Sequence, residues 1–360
     1  MKPQHIFSSL LLLGGTNAYD ITFGFDSAPI IEDRTIDEIY AAALKEGGSV
    51  TLWHGGDEPN QQDTLKKNFE ARFPGITLNI TVDLSKYHDI RVDQQLAEGN
   101  VYVDSVALQT VQDFPRWEAE GALLHYAPAG FDEIYSSFRH VEAAWYAISG
   151  FSWSFVWNTN KIDNPPQEFT DFLKPEYKDK LVLTYPNDDD AVLFAFDLIL
   201  RQYGYSWFEK LLAQNPRWVR GTGTPITLIS QDNSTVGLTF TSSIGLTPVA
   251  PLNFTIPKQG HFVSWGQTAA ILKDAPHPES AKLLVNYLVS EENQKQTGGF
   301  SIRSDVPSPN NFPSILDIPA TNPTEFPRFM SDRVRVERLR FFFEDKLGTA
   351  QGLSPLIDDL

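Results

Sequence analysis

Residues 185–196 read YPNDDDAVLFAF, with Asn187, Asp188, Asp189 and Asp190 set directly before an apolar run. Consecutive carboxylates in that place can do two kinds of chemistry. One can accept the free N–H groups at a helix start, and others in the first turn complement the helix dipole by about 0.3 to 1 kcal/mol each. A cap needs only one acid, and the dipole supplies roughly half a unit of positive charge. The surplus biases the stretch toward a positively charged ligand, an organic amine or a metal ion.

A second group of candidates is Trp53 and His54, followed by Gly55 and Gly56. Glycines let backbone approach a ligand closely, and a tryptophan face attracts a cation by about 0.5 to 2 kcal/mol. Trp265 with Gly266, and Gln109, are further binding candidates. If the ligand is a metal, His54, Asp188 and Asp189 are the donors expected to hold it. The run RGTGTP, residues 220–225, reads as a plain turn, with an anion nest of backbone amides as the alternative. The D-x-D of residues 188–190 also admits a rival class, a metal-dependent enzyme of the glycosyltransferase kind. No G-x-S-x-G, H-E-x-x-H or Walker loop occurs, and the absence of cysteine removes a thiol nucleophile. The expectation is therefore a binding protein without catalytic residues or cofactor.

Those residues need a scaffold, and 360 residues that are 41% hydrophobic can fill two cores. A formal charge of −17 repels phosphate backbones and anionic membrane surfaces, which argues against nucleic acid as a partner. The opening MKPQHIFSSLLLLGGTNAYD has one lysine, an apolar stretch from Ile6 to Leu13 and small residues at Thr16 and Ala18. It predicts a signal peptide over residues 1–18, a mature start at Tyr19, and a secreted or periplasmic location. The apolar stretch is shorter than the roughly 20 residues a bilayer requires, so no membrane insertion is expected. Without cysteine there is neither a disulfide nor a lipidated thiol anchor. Sequons at Asn79, Asn233 and Asn253 occur at a frequency that chance explains.

Along the chain, TIDEIYAAALKE predicts a helix over Thr35–Glu46 that stops at paired glycines. SVTLW predicts a strand ending at Trp53. DTLKKNFEARF places Leu65, Phe69 and Phe73 four apart on a helix, and ITLNITVD alternates like a strand. This succession of strand, loop, helix and strand is the unit of a parallel α/β layer, and it recurs in VYVDSVALQ and FPRWEAEGALL. FSWSFVWNT and LVLTYP predict strands, and AVLFAFDLILRQYG predicts a helix buried on most sides. STVGLTF and HFVSWGQTAAIL return to strands, and HPESAKLLVNYLVSEENQK predicts an amphipathic helix.

Five stretches resemble, in order and spacing, the extracellular solute-binding proteins of ABC importers. They are VTLWHGGDEPNQQDTLKKNFEARFPGITLNI, DSVALQTVQDFPRWEAEGALLHY, FVWNTNKIDNPPQEFTDFLKPEYKDKLVLTYP, DAPHPESAKLLVNYLVSEENQ and GGFSIRSDV, spanning about Val50 to Val306. The resemblance is to the branch of the type II periplasmic-binding fold that includes ferric iron, thiamine, phosphonate and polyamine binders. It implies an α/β fold of two lobes joined by two crossing strands, with the ligand cleft between them. The first crossing is expected near Ile148–Phe155 and the return near Pro251–Phe262. Lobe 1 is then residues 19–147 and 255–360, lobe 2 is residues 148–254, and Gly150 and Pro251 mark the hinge. The loop after LVLTY should face the cleft. A small-molecule or ion ligand, a monomeric state and, in a bacterium, an ABC permease partner follow from the same resemblance. The arginine-rich tail SDRVRVERLRFFFEDKL is expected to pack on the first lobe. One departure stands out: iron binders of this branch use a late pair of adjacent tyrosines, and this chain has none between Tyr205 and Tyr287.

Overall fold

A computed structural model describes residues 29–357, so the leader assigned to residues 1–18 lies outside the described residues. The chain runs through β1 (Ile30–Ile31), α1 (Ile36–Glu46), β2 (Ser49–Gly55), α2 (Asp63–Arg72), β3 (Thr77–Asp83), α3 (Ser85–Glu98), β4 (Ser105–Leu108), α4 (Asp113–Ala119) and β5 (Tyr126–Ala127). Then follow β6 (Tyr146–Ser152), β7 (Ser154–Asn158), β8 (Val182–Thr184), α5 (Asp190–Tyr203), α6 (Tyr205–Leu212), β9 (Arg217–Val219) and α7 (Thr224–Ser230). The remainder is β10 (Leu238–Ser242), β11 (Leu252–Thr255), β12 (Ser264–Ile271), α8 (Pro278–Val289), α9 (Glu291–Gln294), α10 (Glu325–Ser331) and α11 (Arg333–Leu347). The start of α1 shows how local chemistry sets a boundary. The Thr35 hydroxyl accepts from the Glu38 N–H, and the Glu38 carboxylate accepts from the Thr35 N–H at 2.8 Å.

Two sheets form the cores of two lobes. The first has the order β3-β2-β4-β12-β6, with β2 parallel to β3 and β4 and with β12 antiparallel to β4 and β6. A strand from late in the sequence thus lies inside a sheet begun by early ones. The second sheet orders β10-β7-β11, and the parallel pair β8-β9 joins it through a bridge between Leu181 and Leu238. The chain passes from the first sheet at Ser152 to the second at Ser154, so Trp153 alone separates them. It leaves the second sheet at Thr255 and re-enters the first at Ser264.

Helix α5 is buried from Asp190 through Leu200 because it is sandwiched. The second sheet covers one side, where the Phe240 ring lies 5.5 Å from Phe196. The tail covers another: Phe343 of α11 lies 5.3 Å from Phe196 and 5.2 Å from Phe208. This corrects the expected packing of the tail helix on the first lobe. The reason is electrostatic as well as apolar. Asp190 and Asp197, two turns apart on α5, are buried carboxylates that need partners. Arg340 donates to Asp190 at 2.6 Å, and Arg335 donates to both oxygens of Asp197 at 2.8 and 2.9 Å.

Candidate functional site

The ends of β2, β4, β6, β8 and β12 and the turn before α7 surround a cleft between the lobes. It has an outer chamber of about 730 Å³ and an inner chamber of about 100 Å³. His54, Asp57, Gln61, Phe151, Trp153, Thr222 and Gln267 line both chambers, so the two are continuous.

Strand geometry decides which predicted residues reach this space, since successive side chains point to opposite faces. His54 lines the cleft. Its neighbour Trp53 turns the other way, into the core with Val92, Val106 and Phe114, where its ring stacks on His88 at 5.0 Å. The expectation of both at the site is corrected on that ground. The same rule separates Trp265, which lines the inner chamber, from Gly266. A Cβ on Gly266 would lie 2.7 Å from the Ala147 Cβ, so this glycine is required for packing inside the sheet. Gly55 and Gly56 line the inner chamber, but a Cβ on Gly55 would lie 2.1 Å from the Ser85 Oγ. Its missing side chain accommodates α3 rather than a ligand. Ser85 Oγ in turn accepts from the N–H of Gln109, which also lines the inner chamber.

The three aspartates line the inner chamber and have three different partners. Asp189 is the N-cap of α5 and accepts from the Val192 N–H at 2.8 Å. Asp190 pairs with Arg340 at the back of the helix. Asp188 accepts from Arg220 at 2.8 Å and from the first-lobe Lys86 at 2.9 Å. Asn187 is not among the lining residues, and its amide donates to the Gly348 carbonyl in the tail. Asp188 and Asp190 therefore do not converge as a D-x-D chelate. Nor do His54, Asp188 and Asp189 form a metal-holding group: among the described residues such a group occurs elsewhere, at Glu118, His125 and Glu142.

Burial works against charge on Asp188, but Arg220 and Lys86 outweigh it and hold its carboxyl below the ordinary range. Asp189 forms no ion pair among the described residues. Its burial, with Asp57 and Asp190 nearby, pushes its pKa up to about 7 against the stabilising Val192 N–H. Burial lowers the His54 pKa to about 4, leaving a neutral imidazole at neutral pH. Its Nδ1 lies 2.7 Å from the Gly55 carbonyl, which only accepts, so Nδ1 carries the hydrogen and Nε2 keeps its lone pair.

Sequence reasoning missed Asp57, Lys86, Phe151 and Trp153. Asp57 crosses the cleft and accepts from the Thr222 N–H and hydroxyl, both at 2.6 Å, and from the Gly223 N–H at 3.2 Å. The turn at residues 220–225 is thus an anion nest filled by the chain's own carboxylate. The signal in RGTGTP was visible, but its occupant lies 165 residues away in sequence. Two residues that line the inner chamber also carry buried polar atoms with no partner among the described residues, Trp153 Nε1 and Thr110 Oγ1.

Solved structures share this architecture at low sequence identity. The substrate-binding protein of the ABC transporter from Agrobacterium tumefaciens superposes with a TM-score of 0.67 at 15% identity, covering 85% of this chain and 97% of that one. AfuA of Actinobacillus pleuropneumoniae, with fructose-6-phosphate bound, gives 0.64 at 17% identity over 84% and 99%. Iron-bound HitA of Pseudomonas aeruginosa gives 0.59 at 15% identity over 82% and 99%. No curated protein matches the sequence. Residues 111–329 match the family described as bacterial extracellular solute-binding protein. The two-lobed fold, the cleft and this match over more than half of the chain lead to one conclusion: the chain belongs to the family of bacterial extracellular solute-binding proteins.

Proposed function

We propose that the cleft captures a small organic cation, an amine, for ABC-type import. One observation carries the reading: among the described residues the outer chamber is lined by Asp57 and Glu58 and by no lysine or arginine. A cation entering it meets a wall of negative potential, and an anion meets repulsion. Beneath it, Asp189 is the one of the three adjacent aspartates without an ion pair among the described residues, and the rings of Phe151, Trp153 and Trp265 line the same chamber. An ammonium group there gains charge pairing and ring attraction, and displacement of water strengthens both.

In this reading residues 1–18 direct the chain out of the cytoplasm, where it acts as a secreted or periplasmic monomer that delivers its ligand to a permease. The lobes divide near residues 148 and 254, with α11 placed against the second, and the ligand closes them by hinge motion at the two crossings. No helix among the described residues is long and apolar enough to cross a membrane, which is compatible with that location. The binding role accords with the family and its neighbours, and the separated partners of Asp188 and Asp190 argue against the metal-dependent enzyme.

The test is a thermal-shift screen of thiamine, polyamines, choline-like amines, divalent and ferric ions, phosphonates and sugars on the wild type and on Asp189→Asn. Asparagine keeps the helix cap while removing the charge. The best ligand should be an amine, with affinity reduced about tenfold or more in the variant. An anionic best ligand, or an amine affinity within twofold of wild type, would overturn the reading.

A further inference from the structure

We propose that Glu118, His125 and Glu142 form a second binding site, for a divalent transition-metal ion of the zinc class, on the first lobe and outside the cleft. None of the three lines either cleft chamber. One ligand atom from each lies within 4.8 Å of the others. They come from three segments. Glu118 is in the last turn of α4, His125 immediately precedes β5, and Glu142 sits on the turn between residues 139 and 145. Backbone bonds fix that turn: Tyr126 N–H donates to the Ala143 carbonyl, His140 N–H to Trp145, and Ala143 N–H to His140. Ala143 has a φ of 56°, a left-handed conformation that costs a non-glycine residue strain and here reverses the chain so that Glu142 stands beside the imidazole.

The imidazole supplies a second, independent observation. His125 is only 8% exposed, and its Nδ1 has no hydrogen-bond partner among the described residues. Glu118 approaches its Nε2 at 3.8 Å and Glu142 its Nδ1 at 3.8 Å, both beyond hydrogen-bond length. A buried nitrogen bonded to nothing, on a ring flanked by one carboxylate at each of its nitrogens, is costly unless something satisfies it. Zinc bonds nitrogen and oxygen at about 2.0–2.2 Å, which places tetrahedral donors roughly 3.4 Å apart. The adjustment needed is small and falls on Glu142, whose side chain is 55% exposed and free to swing.

The donor set also selects the ion. An imidazole with two carboxylates suits Zn²⁺, Co²⁺, Ni²⁺ or Cu²⁺, whereas Ca²⁺ and Mg²⁺ prefer oxygen alone. The two carboxylates offset a divalent charge, and solvent takes the open position. His140 stands next to the group, its ring 6.2 Å from His125 and its buried Nδ1 also unpartnered. The His140 ring stacks on Trp145 at 4.0 Å. Bound metal would tie the end of α4, the start of β5 and the 139–145 turn together.

The experiment is calorimetric titration of the full, untagged chain with Zn²⁺ alone, paralleled by Co²⁺ titration read from its visible absorption. One equivalent should bind with the bands of a four-coordinate nitrogen and oxygen site. His125→Ala should lower the affinity at least tenfold, and Glu142→Gln, at a side chain that is 55% exposed, should lower it similarly. Asp189→Asn in the cleft should leave it unchanged. Circular dichroism of each variant confirms that the fold is retained. Absence of stoichiometric binding to the wild type, or binding that survives both first-lobe variants, would overturn the site.

Discussion

On the first-lobe wall of the cleft, Asp57 reaches across and is bound by amides of the opposite lobe. On the second-lobe wall, Asp188 takes two cations, Asp189 caps its own helix and Asp190 turns back to Arg340. The wall with three adjacent acids therefore offers the ligand little net charge, while a single acid opposite spans the gap. Charge presented to a ligand depends on which carboxylates lack a cation, and counting acids along the sequence does not reveal this. Asp189 answers why three carboxylates precede an apolar helix: one bridges the lobes, one caps, one is clamped by the tail, and the cap alone has no ion pair among the described residues.

That contrast can be broken at its strongest point first. Arg340→Ala leaves Asp190 buried without its cation and should cost about 3 kcal/mol in urea denaturation, with amine affinity little changed. A cost below about 1 kcal/mol would mean the pair behaves as an exposed one and that the tail does not hold this wall. On the other wall, Asp57→Ala removes three hydrogen bonds to a charged group that join the lobes. It should cost about 2 kcal/mol and enlarge the radius of gyration in small-angle scattering. An unchanged radius would show that Asp57 does not draw the lobes together.

A smaller effect separates Asp189 from its neighbours. Its pKa rises from 3.8 to about 7 on folding, so between those values the folded chain holds a proton that the unfolded chain has lost. Stability from this group is complete below pH 4 and falls as pH rises toward 7. Asp189→Asn should then equal wild type near pH 4 and exceed it by about 1 kcal/mol at pH 8, because relaxation and water offset most of the burial cost. His54 contributes the opposite slope, since its lowered pKa makes stability rise from about pH 4 to 6.5, and that slope should persist in the variant. Melting temperatures across pH for both proteins decide it; parallel curves would contradict the assignment. The smallest expected effect is none at all. Titration with ferric citrate should give no tyrosinate charge-transfer band, because no tyrosine lines either chamber. An intense band would mean that tyrosines outside the cleft come together around iron.

Much of the scaffold was legible because local rules act over short distances. The Thr35–Glu46 segment stopped by paired glycines, the alternation of ITLNITVD and the all-round apolar surface of α5 all formed the elements they predict. Helix α3 escaped notice because it buries only His88, Val92 and Gln95 and has no side-chain cap at Leu84. Lys86 was lost with it. Trp53 was misplaced for another reason: β2 is buried on both faces near its end, so hydrophobic alternation does not say which side meets the cleft. The partnership of Asp57 with Thr222, and of Asp190 with Arg340, joins residues more than a hundred positions apart. Such pairings are properties of the folded chain, and composition along the sequence carries no trace of them.

The grip of α11 on α5 also has a mechanical consequence. Two ion pairs, at Asp190 and Asp197, and the Phe196–Phe343 contact hold α5 against sliding along its axis. Sliding by a helical turn would strand both carboxylates in apolar surroundings. Shear between these packed helices is thereby opposed in the second lobe. Helix α10 stands where the two lobes meet, with Phe326 between Trp265 of the first sheet and Phe194 of α5.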